Sequence, residues 1–476
     1  MYEPVLIQGG MGVGVSNWCL AKAVSSQGHL GVVSGTLLEN VFARRLQEGD
    51  PDGHLKRACL QFPDQKLSER VWQTYFIEGG KKTCAPYKSV PMFSLIPPKE
   101  LVELTILANF VEVWLAKEGH QGLIGINYLE KIQLPTLPSL YGSMLAGVDY
   151  VLMGAGIPKA IPGILDRLSK NLDVSLKIDV AGDSEKLTQE PITHFSPSEF
   201  LAETYDLKRP KFIAVVSSHT LAANLAKKSS GKVDGFVVEN HTAGGHNAPP
   251  RGTLKLDENN EPIYGPRDSA DLEEMKKLNL PFWLAGKYGT NEALKQAKLA
   301  GANGVQVGTP FAFCKESGID NKYKEEVLKK ILHGEVKILT DYRASTSGYP
   351  FKVVEIEGTI SEKDVFENRK RVCDLGGLRQ AYTKDDGTIG FRCPGEPEDI
   401  YLKKGGNKED IEGRKCLCNA LLATISLGQQ RNCGSLPEPA IVTAGDHLVE
   451  LSQFISPTKL SYSAKEVIQS ITGNSR

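Results

Sequence analysis

Short apolar runs recur along the first two-thirds of the chain, each ending in glycine or a small polar residue and each followed by a helical stretch. They fall at 5–8, 31–34, 123–127, 148–153, 212–217, 235–239, 282–285 and 304–307. Runs of four to six residues with almost no polar alternation describe strands buried on both faces, as in a parallel sheet. Helical patterns lie between them, as at 16–27, 220–228 and 291–299. Strand–helix repetition gives a doubly wound sheet or a (β/α)8 barrel, and eight runs favour the barrel.

Two further apolar runs, 90–95 and 174–180, exceed a count of eight. We read the first as a hairpin or lid before the third strand and the second as an insertion after the fourth helix. The polar, proline-broken stretches 181–197 and 248–266 read as surface loops. Beyond about residue 340 the strand punctuation stops, 384–410 is polar and glycine-rich, and 417–427 and 446–455 read as helices. The expected architecture is an α/β fold: a (β/α)8 TIM barrel over 1–340, with insertions near 40–120 and 170–210, and a mostly helical C-terminal extension over 341–476 packing on it.

Charge changes the picture only by exclusion. Lys and Arg total 56 against 57 Asp and Glu, which leaves no cationic surplus for nucleic acid or an anionic membrane surface. Residues 1–4 lack the basic start of a signal peptide, and no stretch is long and apolar enough to span a bilayer. Nine cysteines, an odd number, suit reduced thiols and a cytoplasmic location better than a disulfide framework.

Glycine is in excess, at 47 residues, and each one raises the entropic cost of folding unless the backbone needs it. Part of the excess sits at strand ends: Gln8-Gly9-Gly10-Met11-Gly12-Val13-Gly14 after the first run, Thr242-Ala243-Gly244-Gly245-His246 after the sixth, Ala285-Gly286-Lys287 after the seventh and Gln306-Val307-Gly308-Thr309 after the eighth. In a (β/α)8 barrel function gathers at these ends, and a phosphate commonly sits after strands seven and eight. The first cluster is spaced too tightly for a dinucleotide fingerprint, so a Rossmann reading is rejected.

Residues 5–16 (VLIQGGMGVGVS), 243–246 (AGGH), 283–288 (WLAGKY) and 301–318 (GANGVQVGTPFAFCKESG) resemble the nitronate monooxygenase (2-nitropropane dioxygenase-like) family, in order over about two-thirds of the chain. FMN-dependent enoyl-acyl carrier protein reductases share that fold, and the chain is similar to a longer branch. The resemblance implies FMN bound without a covalent bond. Gly9, Gly10 and Met11 match the segment along the flavin ring, and Asn127 matches the Asn closing the third strand. Glu239 stands where relatives often have Gln. Gly244 and Gly245 form the flavin-contacting turn, and Gly286, Gly308 and Thr309, with Gln306 beside them, match the phosphate cradle. Lys287 either adds a cation there or faces solvent.

His246 is the candidate catalytic residue. A His after a Gly-Gly turn at a strand end can face a cofactor edge, and an ordinary imidazole trades protons near neutrality; in the resembled family it is the base or proton donor. His241 reads as a supporting residue, and Ser218 as the cap of the helix that His219 starts. Cys373, Cys393, Cys416, Cys418 and Cys433 lack the spacing of a zinc knuckle, so they read as buried reduced thiols and no metal is assigned. The leading expectation is oxidation of an alkyl nitronate with O2. The alternatives are an NAD(P)H-dependent enoyl-thioester reductase, or a flavin-binding acyl-carrier-docking module with little turnover. A homo-oligomer is left open.

Overall fold

The computed structural model describes residues 3–201, 203–432 and 436–473. Its centre is a closed ring of eight parallel strands: β1 (Leu6–Gln8), β2 (Gly31–Ser34), β3 (Ile124–Leu129), β4 (Tyr150–Gly154), β5 (Lys211–Val216), β6 (Gly235–Glu239), β7 (Phe282–Ala285) and β8 (Gly304–Val307). Each corresponds to one of the eight apolar runs, with ends moved by at most two residues. β1 pairs with β8, then neighbours follow in sequence order round to β2. The barrel is filled rather than hollow, by Ile7, Leu30, Val32, Tyr150, Leu152, Ile213, Val237 and Trp283. The Trp283 indole donates to Pro4 O at 2.6 Å, which satisfies its one polar atom.

The seam between β1 and β2 is closed partly by a side chain. The backbone supplies Gln8 N to Leu30 O (2.9 Å) and Leu30 N to Leu6 O (3.1 Å). One residue further, the fully buried Gln8 amide takes over: its Oε1 accepts from Val32 N at 3.0 Å and its Nε2 donates to Val32 O at 3.2 Å. The same Nε2 donates to Ser16 Oγ at 2.9 Å, and Ser16 Oγ donates to Gly9 O. A primary amide copies the donor and acceptor of a peptide, so strands that splay at the barrel mouth still have their polar groups met.

Outside the barrel the expectations hold less well. Residues 90–95 form no strand. Val174–Lys177 pairs antiparallel with Ile192–Phe195, so 181–197, expected as loop, contains half of a hairpin. The extension, expected as mostly helical, mixes its helices Lys363–Asn368, Glu398–Lys403, Leu417–Thr424 and Ala464–Thr472 with two antiparallel pairs. Ile338–Asp341 faces Phe351–Val354, and Gln380–Thr383 faces Ile389–Arg392. The second pair turns at Asp386-Gly387, with Gly387 at φ 78°, an Asp-Gly signal of the kind that makes hairpins. It also borrows the barrel-side Val180–Ala181 as a third, parallel strand. Leu417, Leu422, Ile441, Leu448, Tyr462 and Ile471 lie in one continuous core with the barrel helices.

Cys84 is disulfide-bonded, which corrects the expectation that every thiol is reduced, while Cys19, Cys59, Cys314, Cys373, Cys393, Cys416 and Cys418 are free. Cys433 lies outside the described residues. Among the described residues no helix is long and apolar enough to cross a membrane. Gln8→Leu keeps side-chain volume but strands the buried Val32 N–H and C=O. It is expected to lower the free energy of unfolding by about 3 kcal/mol, read from the urea midpoint; an unchanged midpoint would show that the seam does not need the amide.

Candidate functional site

The strand ends open on a cavity of about 550 Å³ at the C-terminal face of the barrel, where barrel enzymes carry their chemistry. Every residue singled out in the sequence as a site candidate lines it: Gly9, Gly10, Met11, Asn127, Glu239, Gly244, Gly245, His246, Gly286, Gln306, Gly308 and Thr309. Lys287 is exposed and is not part of the wall. Ser218 does cap its helix, accepting from Leu221 N, and His219 Nδ1 accepts from Asp271 N at 3.2 Å. His241 reaches the wall and stacks on Tyr264 at 4.2 Å between centroids.

Glycine is required at two of these positions. A Cβ on Gly10 would lie 2.3 Å from Asn127 Cβ, because the loop after β1 crosses directly over the end of β3. Gly286 sits at φ 115°, and a Cβ there would meet Asn240 Oδ1 at 2.0 Å. Asn240 is committed in turn, its Oδ1 accepting from Thr242 N and Thr242 Oγ1. The close approach of backbone therefore leaves a wall of peptide groups for a flat or phosphate-bearing ligand. The helix after β8 is the single turn Thr309–Ala312.

His246 is held by the extension, which the sequence did not reveal. Gly245 O accepts from Lys352 N and Asn247 N donates to Pro350 O, making His246 and Phe351 an antiparallel bridge. The His246 Nε2 lies 2.7 Å from the buried Ser345 Oγ, and the Phe351 ring meets the imidazole edge-on at 4.9 Å. Below them the buried Lys352 ammonium pairs with Asp446 at 2.6 Å and donates to Thr340 Oγ1. The loop carrying Asp446 forms the next part of the wall: Gly245 N donates to Thr443 Oγ1, and Gly445 N donates to Thr309 Oγ1. Leu421, Thr424, Ile441, Thr443 and Ala444 complete the cover. No motif marks these residues, which lie about a hundred or more positions from the barrel residues they touch, so only the folded chain brings them in.

Burial acts in opposite directions on the two titratable groups of the mouth. His246 is pushed down to about 4 and Glu239 up to about 7, in both cases because the charged form loses water. At neutral pH the imidazole is neutral, and the Glu239 carboxyl, with no ion-pair partner among the described residues, is poised between its two forms. Gln306 Oε1 is buried without a hydrogen-bond partner among the described residues, an acceptor on the wall that a ligand N–H would satisfy. Among the described residues no group of three His, Cys, Asp or Glu side chains converges as a single metal ion requires.

Between about 4 and 6.5 the unfolded chain binds a proton at His246 that the folded chain refuses, so this residue makes stability rise with pH there. Glu239 does the reverse from 4.5 to about 7, where only the folded chain keeps the proton. NMR titration of the ligand-free protein is expected to place the His246 midpoint near 4 and the Glu239 midpoint near 7. A His246 midpoint near 6.5 would mean that water reaches the imidazole freely.

No family model matches the chain. Over 133 residues it is 29% identical to a probable nitronate monooxygenase of Staphylococcus haemolyticus (strain JCSC1435), a match covering 28% of this chain and 35% of that relative, about a third of its length. Among solved structures, FabK from Thermotoga maritima matches with a TM-score of 0.41 at 18% identity, over 77% of this chain and 76% of that one. Nitroalkane oxidase from Streptomyces ansochromogenes matches at 0.45 and 12%, over 99% and 96%. The enoyl reductase domain of MlnA from the macrolactin biosynthesis cluster of Bacillus amyloliquefaciens matches at 0.46 and 11%, over 99% and 94%. In sequence the chain is thus similar, across the matched 133 residues, to a probable nitronate monooxygenase.

Proposed function

We propose that the chain is an FMN-dependent oxidoreductase of the nitronate monooxygenase type, oxidising a small alkyl nitronate with O2. The observation that carries this reading is the neutral, enclosed His246 on a cavity walled by glycine backbone. The residues present fit FMN: Gly9, Gly10 and Met11 would lie along the ring, and Asn127 and Gln306 offer amides to its polar edge. Gly286, Gly308 and Thr309 offer backbone at the phosphate end. FMN bound there supplies the electron-accepting chemistry and the reactivity toward oxygen.

The chain's own residues then have three tasks. The peptide wall orients the ring, and Leu421, Ile441 and Phe351 keep water away from it. His246 receives the substrate. A nitronate arrives already deprotonated, so no proton need be removed; a neutral imidazole can donate an N–H to the anion and keeps that form at every pH well above 4. Ser345 holds the ring so that this group does not turn away.

One observation favours the second reading, an NAD(P)H-dependent enoyl-thioester reductase. That reaction needs a proton for the α-carbon. His246 carries no spare proton at neutral pH, whereas the Glu239 carboxyl, raised to about 7, does. The two readings therefore assign the essential side chain differently.

The purified chain is expected to be yellow, to take up oxygen with an alkyl nitronate, and to lose about a hundredfold or more in kcat/KM on His246→Ala, with Glu239→Gln retaining turnover. Anaerobic bleaching by NAD(P)H but not by a nitronate, with turnover abolished by Glu239→Gln, would replace this reading with the reductase. A colourless protein that cannot be reconstituted with FMN would leave a docking module.

A further inference from the structure

A second cavity, of about 300 Å³, opens between the loop after β3 and the hairpin that Gln380–Thr383 and Ile389–Arg392 form in the extension. Lys131, Arg379, Arg392 and Arg414 line it, and among the described residues none of the four lies within ion-pair distance of a carboxylate. Neutral groups hold the guanidiniums instead. Arg379 donates through Nε to Gly376 O and through Nη2 to Phe93 O, and lies over the Phe391 ring. Arg392 donates through Nη1 to Lys404 O and lies over Tyr382, 4.6 Å from the ring centre. Arg414 donates to Asp410 O, Arg343 O and Ser345 O. Carbonyls and aromatic faces fix a guanidinium in place without discharging it.

Donors are left over. Each guanidinium carries five N–H groups, and the bonds above use only part of them. Arg392 Nε is buried with no hydrogen-bond partner among the described residues, and so is Thr346 Oγ1 on the same wall. Burial also holds Arg379 and Arg414 below the ordinary guanidinium value, a cost that a counter-ion offsets. The three carboxyls of the cavity do not supply one. Glu39 is pushed toward its neutral form by burial. Asp179 stands exposed at the rim with Lys131, and Asp410 accepts from the Tyr401 hydroxyl at 3.2 Å. Much of the remaining wall is apolar, from Phe93, Ile132, Leu134 and Leu375.

We propose that this cavity is a second ligand site, for a small organic anion. Its carboxylate or phosphate meets the free N–H groups of the guanidiniums, which match the planar oxygens of such a group. Its short apolar body lies against Phe93, Ile132 and Leu134. The volume sits at the lower end of the range for ligand pockets, which suits a short chain better than a nucleotide. The cavity shares a wall with the barrel mouth: Ser347 and Gly348 face this side and Tyr349 the other. Arg414 Nη1 donates to Ser345 O at 2.7 Å, and the Ser345 hydroxyl holds His246. The proposal stands apart from the flavin reading, and neither requires the other.

The test is calorimetric titration of the full chain, with FMN in excess, by hexanoate and by hexyl phosphate, with hexan-1-ol as the uncharged control. Saturable binding of at least one anion at a single site, and none of the alcohol, is the expected result; the tighter anion names the charged group. Arg392→Gln is expected to weaken that binding about tenfold, and Arg392→Lys to fall between the two. Should these variants fail to fold, hydrogen exchange of the unmodified chain places the anion, with added protection expected at 376–380. No saturable binding of either anion, equal binding of the alcohol, an unchanged affinity in Arg392→Gln, or protection confined to 243–247 at the barrel mouth would overturn the proposal.

Discussion

The backbone pairing of Gly245–Asn247 with Pro350–Lys352 is the contact on which the rest of the mouth depends. It turns the loop after β6 from a free strand end into the edge of a two-part structure, with the barrel on one side and the extension on the other. Ser345, Phe351 and Lys352 are all delivered by the same hairpin, and Lys352 ties it to Asp446 on a separate loop. Lys352 is fully buried and its carboxylate partner is half-exposed. Removing either would leave a charge with no counterpart, so the pair serves position more than net stability. A candidate catalytic His on an otherwise flexible Gly-Gly loop thereby acquires one orientation.

Enclosure by the extension also sets the electrostatics. A barrel mouth open to water would leave His246 and Glu239 near their ordinary values. Covered by Leu421, Ile441 and Phe351, both groups shift toward neutrality, one down and one up. An apolar mouth with neutral groups and peptide dipoles suits a ligand that brings its own charge, such as a phosphate or a nitronate. The same extension brings four cysteines to one small cavity, so the part of the chain with the least recognisable pattern both covers the barrel mouth and packs a core of its own.

How much was legible varied with the range of the interaction. The eight strands were, because a strand buried on both faces is written as a local apolar run, and 31–34, 235–239, 282–285 and 304–307 agree to the residue. The glycines were, because close approach and positive φ leave no other choice at Gly10 and Gly286. The Asp386-Gly387 hairpin carried a readable turn signal inside a stretch whose polarity suggested loop. Residues 174–180 divided between two different pairings, and nothing local says where a strand will find its partner.

Taken alone, then, the sequence determined the barrel, the order of its strands and the set of backbone positions that meet at its mouth, since each of these follows from local pattern and chain order. Only the tertiary structure decided what holds His246, which way burial moves His246 and Glu239, and which cysteines share a cavity. Those are contacts between segments 99 residues apart in the His246–Ser345 bond and 198 apart in the Gly245–Thr443 bond, and the free energy that selects them belongs to the packed whole rather than to any stretch of chain.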